Sequence, residues 1–403
     1  VIVTHLSLTD FRNYEHAEVS LGRGPNLFVG SNGQGKTNLV ESLGYLSTLG
    51  SHRVSTDHAM IRQGTDAAIV RARLEHDERQ ILAEVQINRS GANRAQINRS
   101  VIKTRELPRY FSSVLFAPED LALIRGEPSG RRRFLDELLI LFSPRFSGII
   151  SDYERVLKQR NTLLKSARSS GVRGDQLSTL DIWDDRLVAF GAELVAARTG
   201  LVAQLLPDLT AAYEAVAGAD HRASLSNYLT VDDPEVAADN DSGLVQRTRM
   251  GNEPVSVDDA AVGFRSALGR LRRNELDRGM TLVGPHRDDV VLELNGMPAR
   301  GYASHGESWS FALALKLAAA QLLRRESSVG DPVLILDDVF AELDESRRAR
   351  LAHAVRDFEQ VLITAAVLND VPDELRLHTV RIAAGAILES EQSGARTMTE
   401  PEQ

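Results

Sequence analysis

Apolar positions along the chain change period several times, and the changes mark out its elements. Val1-Ile2-Val3, Leu6, Leu8 and Phe11, then Ala17, Val19 and Leu21, alternate with polar residues. This predicts two strands joined near Arg12-Asn13-Tyr14-Glu15. Pro25 to Val29 reads as a short buried strand, and Asn38 to Leu49 sets Leu39, Val40, Leu43 and Leu46 at helical spacing. A second β region alternates through Ala67 to Leu74, Gln80 to Ile87 and Arg94 to Ile97, with the turn Asn88 to Asn93 closing a hairpin. Val114 to Ala117 predicts a further strand. From Arg131 the period turns helical, with breaks near Ser143-Pro144 and Ser169-Ser170-Gly171, and Gly218 is the stop signal after Ala217. Residues 231–260 are acidic and weakly patterned, which predicts a loop-rich connection.

Strand patterning resumes at Met280 to Val283 and at Val290 to Leu294, the latter closed by Asn295-Gly296. A helix from about Ser308 to Arg325 leads to the fully apolar strand Pro332 to Leu336, which ends in Asp337-Asp338. A helix from Glu345, a strand from Gln360 to Thr364, a C-terminal hairpin and a polar tail complete the pattern. The expected fold is α/β, a split P-loop core with a mainly helical second lobe or arm inserted in it. The expected segments are 1–120, 121–275, 276–390 and a tail at 391–403.

Composition narrows this modestly. A chain of 403 residues, 42% hydrophobic and 26% charged, fits two domains or one with a large insertion. Cysteine is absent, which excludes disulfides, thiolate metal sites and cysteine nucleophiles. No apolar run approaches the roughly 20 residues that span a bilayer, and no signal pattern is read at the N-terminus. The expectation is a cytoplasmic chain without a membrane partner. A net charge of −9 argues against a uniformly basic surface but not against a local basic patch.

The candidate chemistry begins at Gly30-Ser31-Asn32-Gly33-Gln34-Gly35-Lys36-Thr37, which fits the phosphate-binding pattern G-x-x-x-x-G-K-[ST] without mismatch. Its glycines let consecutive N–H groups turn toward a phosphate at the start of a helix. Lys36 then reaches the β- and γ-phosphates, and the Thr37 hydroxyl is a Mg²⁺ ligand. Asp337, closing a buried strand, is the second Mg²⁺ ligand, and Asp338 is placed to orient or deprotonate an attacking water. Arg12 reads equally as a phosphate contact or as a solvated turn residue. Ser304-His305-Gly306-Glu307 reads by itself as a helix cap as easily as a site.

The order of these motifs (glycine loop, insertion, Ser-x-Gly-x opening a helix, strand-Asp-Asp) resembles the ABC-type ATPases. Finer motifs resemble the RecF family of bacterial recombination mediators: Phe11-Arg12-Asn13-Tyr14, the glycine loop with Asn38, Phe116-Ala117-Pro118-Glu119-Asp120 and Arg131-Arg132-Arg133-Phe134-Leu135-Asp136. So do Gly284-Pro285-His286-Arg287-Asp288-Asp289 and Leu336-Asp337-Asp338-Val339-Phe340-Ala341-Glu342-Leu343-Asp344. The resemblance covers nearly the whole chain. It implies an ABC-type head that binds ATP and Mg²⁺ and dimerises on ATP, with Ser304 and Gly306 contacting the nucleotide of the opposite copy. It also implies binding of duplex DNA near single-strand junctions in gapped DNA. RecR and RecO are the implied partners, helping to load RecA onto strands coated by SSB in replication, repair and the SOS response, with slow ATP hydrolysis for release.

Three features depart from that pattern. Glu307 stands where the family usually has glutamine, Thr364-Ala365 follows the strand where transporter ATPases carry a switch histidine, and no lid glutamine is evident, Glu119 or Asp120 standing nearest. Candidate DNA contacts are Arg62, Arg71, Arg73, Arg125, Arg131, Arg132 and Arg133, each of which reads individually as a solvated or paired surface arginine. Aromatics total only 5%, which favours duplex-backbone binding over base stacking. The competing readings are a non-hydrolytic ATP sensor and a transporter-type ATPase.

Overall fold

A computed structural model describes residues 1–54, 56–76, 79–170, 178–232, 251–327 and 330–392. The tail beyond Gln392 and most of the acidic connection, 233–250, lie outside the described residues. The chain divides into two compact units, one of Val1–Asp120, Ala215–Gly218 and Ala319–Gln403, the other of Leu121–Glu214 and Ala219–Ala318. Residues 276–318 thus cluster with the inserted segment, although the sequence pattern groups them with the C-terminal half of the core.

The first unit holds two six-stranded sheets. One has the order β2-β1-β4-β5-β6-β7, built from β1 (Ile2–Phe11), β2 (Tyr14–Ser20), β4 (Ala67–His76), β5 (Arg79–Asn88), β6 (Arg94–Ile97) and β7 (Ser100–Ile102). All its pairings are antiparallel. The other has the order β15-β14-β3-β13-β12-β8: β3 (Gly24–Val29), β8 (Ser113–Phe116), β12 (Val333–Asp337), β13 (Gln360–Ala365), β14 (His378–Ala383) and β15 (Ala386–Gln392). Here every pairing is parallel except that of the edge hairpin β14–β15. Val333 to Leu336 and Val361 to Ile363 are wholly buried, as strands covered on both faces require. The helix α1 (Lys36–Thr48) contributes Leu39, Val40, Leu43 and Leu46 to one core with Leu6, Leu8, Phe11, Val70 and Val85 of the antiparallel sheet and Ile335 and Leu362 of the parallel one.

The second unit is mainly helical: α2 (Leu121–Arg125), α3 (Pro128–Phe142), α4 (Arg145–Ser170), α5 (Ser178–Ala217), α6 (Val257–Arg278) and α7 (His305–Glu326), with α5 continuing into the first unit at Ala215 and α7 at Ala319. It also holds a small sheet of order β11-β10-β9, from β9 (Ser224–Tyr228), β10 (Asp289–Leu294) and β11 (Met297–Pro298). Helix α5 contains a stretch apolar and long enough to cross a membrane by composition alone, but more than half of it is buried inside the protein.

Two sequence expectations change here. Helix α6 already begins at Val257, inside the segment read as loop, with the Ser256 hydroxyl accepting from Asp259 N at 3.1 Å. Met280 to Val283 is not a strand. Its buried backbone is bonded by side chains instead: Asn161 Oδ1 accepts from Thr281 N (2.7 Å) and Glu275 Oε1 from Leu282 N (2.8 Å). Beneath it, the fully buried Arg160 donates to Asp184 and Glu275, both at 2.6 Å, and to Thr281 Oγ1 at 2.8 Å. Burial works against this guanidinium's charge, but the two carboxylates outweigh it and raise its pKa.

Candidate nucleotide site

The glycine loop leaves β3 where two neighbours crowd it. A Cβ on Gly30 would stand 2.1 Å from the Ile382 carbonyl oxygen. Gly35 adopts φ 110°, and a Cβ there would meet the Tyr14 hydroxyl at 2.7 Å. The outer side of the loop is fastened to two hairpin turns. The Gln34 carbonyl accepts from Gly385 N (3.1 Å) and Asn13 Nδ2 (3.4 Å), and its side-chain oxygen accepts from Ala384 N. Asn38 donates to Asn13 Oδ1 at 2.7 Å and accepts from Arg53 at 2.9 Å.

Within the loop, Lys36 is buried and its ammonium donates to the Ser31 carbonyl at 3.3 Å. Thr37 Oγ1 donates to Asp337 Oδ1 at 3.0 Å, joining positions 300 residues apart. Thr364 Oγ1 donates to the same oxygen at 2.6 Å and accepts from Asp338 N at 2.9 Å, so the residue in the switch-histidine region fixes both acids. Burial pushes the Asp337 carboxyl up to about 6, against the two hydroxyl bonds and with help from the charges of Asp338 and Glu119. Asp338 takes a left-handed φ of 52°, and its Oδ1 is buried without a hydrogen-bond partner among the described residues. A buried lysine, a hydroxyl–carboxylate pair and an orphaned carboxylate oxygen at a glycine loop fit a nucleoside triphosphate with Mg²⁺ and a water. The sequence reading missed His52, whose Nε2 is 3.9 Å from Asp337 Oδ2; no spacing in the sequence signals it. Of the two lid candidates, Asp120 accepts from Ala117 N at 2.8 Å, while Glu119 is the one whose charge reaches Asp337.

The Arg12 side chain is turned inward rather than solvated at its turn. Its guanidinium forks onto Glu41 at 2.9 and 2.6 Å and donates to the Ala59 carbonyl at 2.8 Å. Glu41 is fully buried and also accepts from Ser51 at 2.5 Å, so Arg12 closes an interior network.

In the second unit, Ser304 caps α7. Glu307 N donates to Ser304 Oγ at 3.3 Å while Ser304 N donates to Glu307 Oε2 at 2.7 Å, a reciprocal capping box. Glu307 is thereby folded back onto its own helix end, with Oε1 3.6 Å from His221 Nδ1. Among the described residues the Ser304 hydroxyl only accepts, which leaves its proton available to a ligand.

The arginine candidates separate by partner. Arg62 pairs with Asp10 and Glu15 (3.4 and 2.9 Å), Arg71 with Glu84, and Arg133 with Glu137 at 2.7 Å. Arg131 is buried and forked on Asp289 at 2.8 and 2.9 Å; burial lowers its pKa to about 10. Arg132 donates to the Asp288 carbonyl at 2.8 Å, and Arg125 to residues around Ser304. Arg131 is therefore an interior strut, while Arg132 is half-buried against the Asp288 carbonyl. Arg73 is exposed and carries no side-chain partner among the described residues. The sequence reading passed over a denser group. Arg94, Arg99, Lys103, Arg105 and Arg109 are all exposed and unpaired among the described residues, with Glu106 the single acid between positions 94 and 109. Arg94 lies in β6 and Arg99 in the turn to the edge strand β7, and Lys103, Arg105 and Arg109 lie just after it, at and within the short helical segment Thr104–Arg109.

The fold and this site define an ABC-type ATPase head of the kind shared with SMC proteins. An SMC head bound to the C-winged helix domain of ScpA matches it with a TM-score of 0.50 at 13% identity, over 98% of both chains, which supports the fold alone. Residues 2–382 match the family described as the RecF/RecN/SMC N terminal domain. Among relatives named DNA replication and repair protein RecF, that of Leifsonia xyli subsp. xyli is 66% identical over 387 residues (96% of this chain, 99% of that one). The RecF of Clavibacter sepedonicus is 64% identical over 392 residues, 97% of this chain and 95% of the relative. A solved structure of the recombination mediator protein RecF-ATPrS in the RecFOR pathway superposes with a TM-score of 0.82 at 26% identity, covering 96% of this chain and 97% of that one. The chain belongs to the RecF family.

Proposed function

We propose that this protein is an ATP-gated DNA-binding recombination mediator. Two copies close on ATP, each glycine loop facing the Ser304-Gly306 turn of the other. The closed dimer binds duplex DNA beside single-strand gaps in the cytoplasm. It acts there with RecR and RecO to help load RecA onto SSB-coated strands, in repair, replication and the SOS response. The observation that carries the reading is the Thr37–Asp337 contact beside the buried Lys36. Mg²⁺ held by Thr37 and Asp337 would neutralise charge on the β- and γ-phosphates. Lys36 and the loop N–H groups bind and orient the phosphates, Asp338 holds the attacking water, and the Ser304 hydroxyl donates from the opposite copy. Slow turnover releases the DNA. The exposed strip from Arg94 to Arg109, rather than Arg131 and Arg132, supplies the cations for the DNA backbone.

The test is anisotropy of a labelled gapped duplex with ATP against ADP, with light scattering on the same samples. ATP is expected to drive dimerisation and DNA binding together, and Lys36→Met to abolish both. Dimerisation without DNA binding leaves the ATPase and removes the repair role. Asp338→Asn separates hydrolysis from sensing, since it is expected to keep ATP-driven dimerisation and lose turnover.

A further inference from the structure

Arg125 ends α2, a helix of only five residues, and its guanidinium spans the Ser304 turn. Nε donates to Ser308 Oγ at 3.1 Å and an Nη donates to the Ala303 carbonyl at 3.3 Å. Ser308 Oγ in turn donates to the Ser304 carbonyl at 2.9 Å. The serine is therefore held from the residue before it and from the first turn after it. The support is itself anchored. The carbonyls of Leu123 and Gly126, on either side of Arg125, accept from Arg131 at 3.0 and 3.1 Å, and Arg131 is fixed in the interior by its fork on Asp289. A second tie runs alongside, Arg300 to Glu127 at 2.9 Å.

We propose that Arg125 is a positioning residue for the nucleotide contact made by Ser304 across the dimer. The inference rests on the ATP-sandwich reading above. A helix cap alone fixes the start of α7 but not the direction in which the turn presents its hydroxyl. The two bonds from one planar guanidinium set that direction, which the single ammonium of lysine cannot reproduce. The cation also lies on the turn that would face a triphosphate, next to a helix start whose own carboxylate, Glu307, is drawn into the cap.

The test compares wild type, Arg125→Ala, Arg125→Lys, Ser308→Ala, the double variant Arg125→Ala with Ser308→Ala, and Ser304→Ala by two readouts: binding of a fluorescent ATP analogue with Mg²⁺ at a protein concentration too low for dimers, and the protein concentration at half-dimerisation in ATP. Arg125→Ala is expected to bind the analogue as wild type does but to need about tenfold more protein to dimerise, with Arg125→Lys between. Ser308→Ala is expected to need about threefold more, and the double variant no more than Arg125→Ala alone, because both remove one linkage. Wild-type dimerisation by Arg125→Ala, full restoration by lysine, or additive effects of the two alanines overturns the proposal. Should Arg125→Ala fail to fold, Ser308→Ala decides, and its dimerising as wild type is the negative result. If Ser304→Ala weakens dimerisation while Arg125→Ala does not, this inference alone fails. If wild type does not dimerise on ATP, the sandwich fails with it.

Discussion

The guanidinium of Arg131 meets Asp289 inside the second unit with almost no solvent at either end. Truncating it removes one charged partner of a buried carboxylate, and breaking such a pair costs about 3–5 kcal/mol. Arg131→Ala is expected to lower the urea midpoint accordingly while leaving the salt dependence of DNA binding by the folded fraction unchanged. His286 gives a pH prediction in the same region. Burial, then the cations Arg287, Arg132 and Arg160, lower its pKa to about 3, against a bond to Thr281. Its Nδ1 is 2.8 Å from the Tyr153 hydroxyl. The folded state thus keeps the ring neutral. That preference costs nothing above the ordinary histidine pKa near 6.5 and becomes destabilising as pH falls from there toward 3. Between pH 7 and pH 5 the wild-type Tm is expected to fall further than that of His286→Gln. Asp288, raised by burial, shifts the opposite way but is common to both proteins. Parallel pH curves would refute the assignment.

At the scale of elements, β6 and β7 turn on Asn98-Arg99, both at positive φ, and leave β7 on an unpaired edge with Val101 78% exposed. If the cations along this ribbon neutralise phosphates, each alanine among Arg94, Arg99, Lys103, Arg105 and Arg109 should flatten the slope of log affinity against log salt by about 0.9. Arg62→Ala and Arg71→Ala should change it little, since their partners already neutralise them. Unchanged slopes across the ribbon would move the DNA elsewhere. The same contrast shows what the sequence could convey. The alternation of β1, β2 and β5 and the helical period of α1 were readable because one face of each is buried. The strand β9 was not, because Ser226 and Asn227 are polar and buried together, which erases the period. The glycine loop and the paired acids were readable because their chemistry is contiguous. The fates of Arg12 and Arg125 were not, since Glu41 and Ser308, 29 and 183 residues away, decide them; the cap that holds Glu307 is local, and only its meeting with His221 needed the fold.

At the scale of the molecule, ligand binding and folding are linked. ATP that binds only the folded chain should add about 2.7 kcal/mol of stability at a hundred times its dissociation constant. A thermal melt with Mg²⁺ and ATP is expected to show the first unit shifting upward in wild type and not in Lys36→Met. The site residues Thr37 and Asp337 come from opposite ends of a chain whose middle forms a unit of its own.

The strand that carries the glycine loop, β3, lies between β13 and β14, and both of these are made more than 330 residues after it. On a ribosome adding about 5–20 residues per second, its ladder therefore lacks both neighbours for tens of seconds. The second unit, nearly continuous in the chain, can complete its own packing during that interval. Nucleotide competence thus arrives as a late event of synthesis. A message cut short between Thr37 and Gln360 would yield a polypeptide that retains the phosphate-binding motif and lacks both of the strands that flank β3.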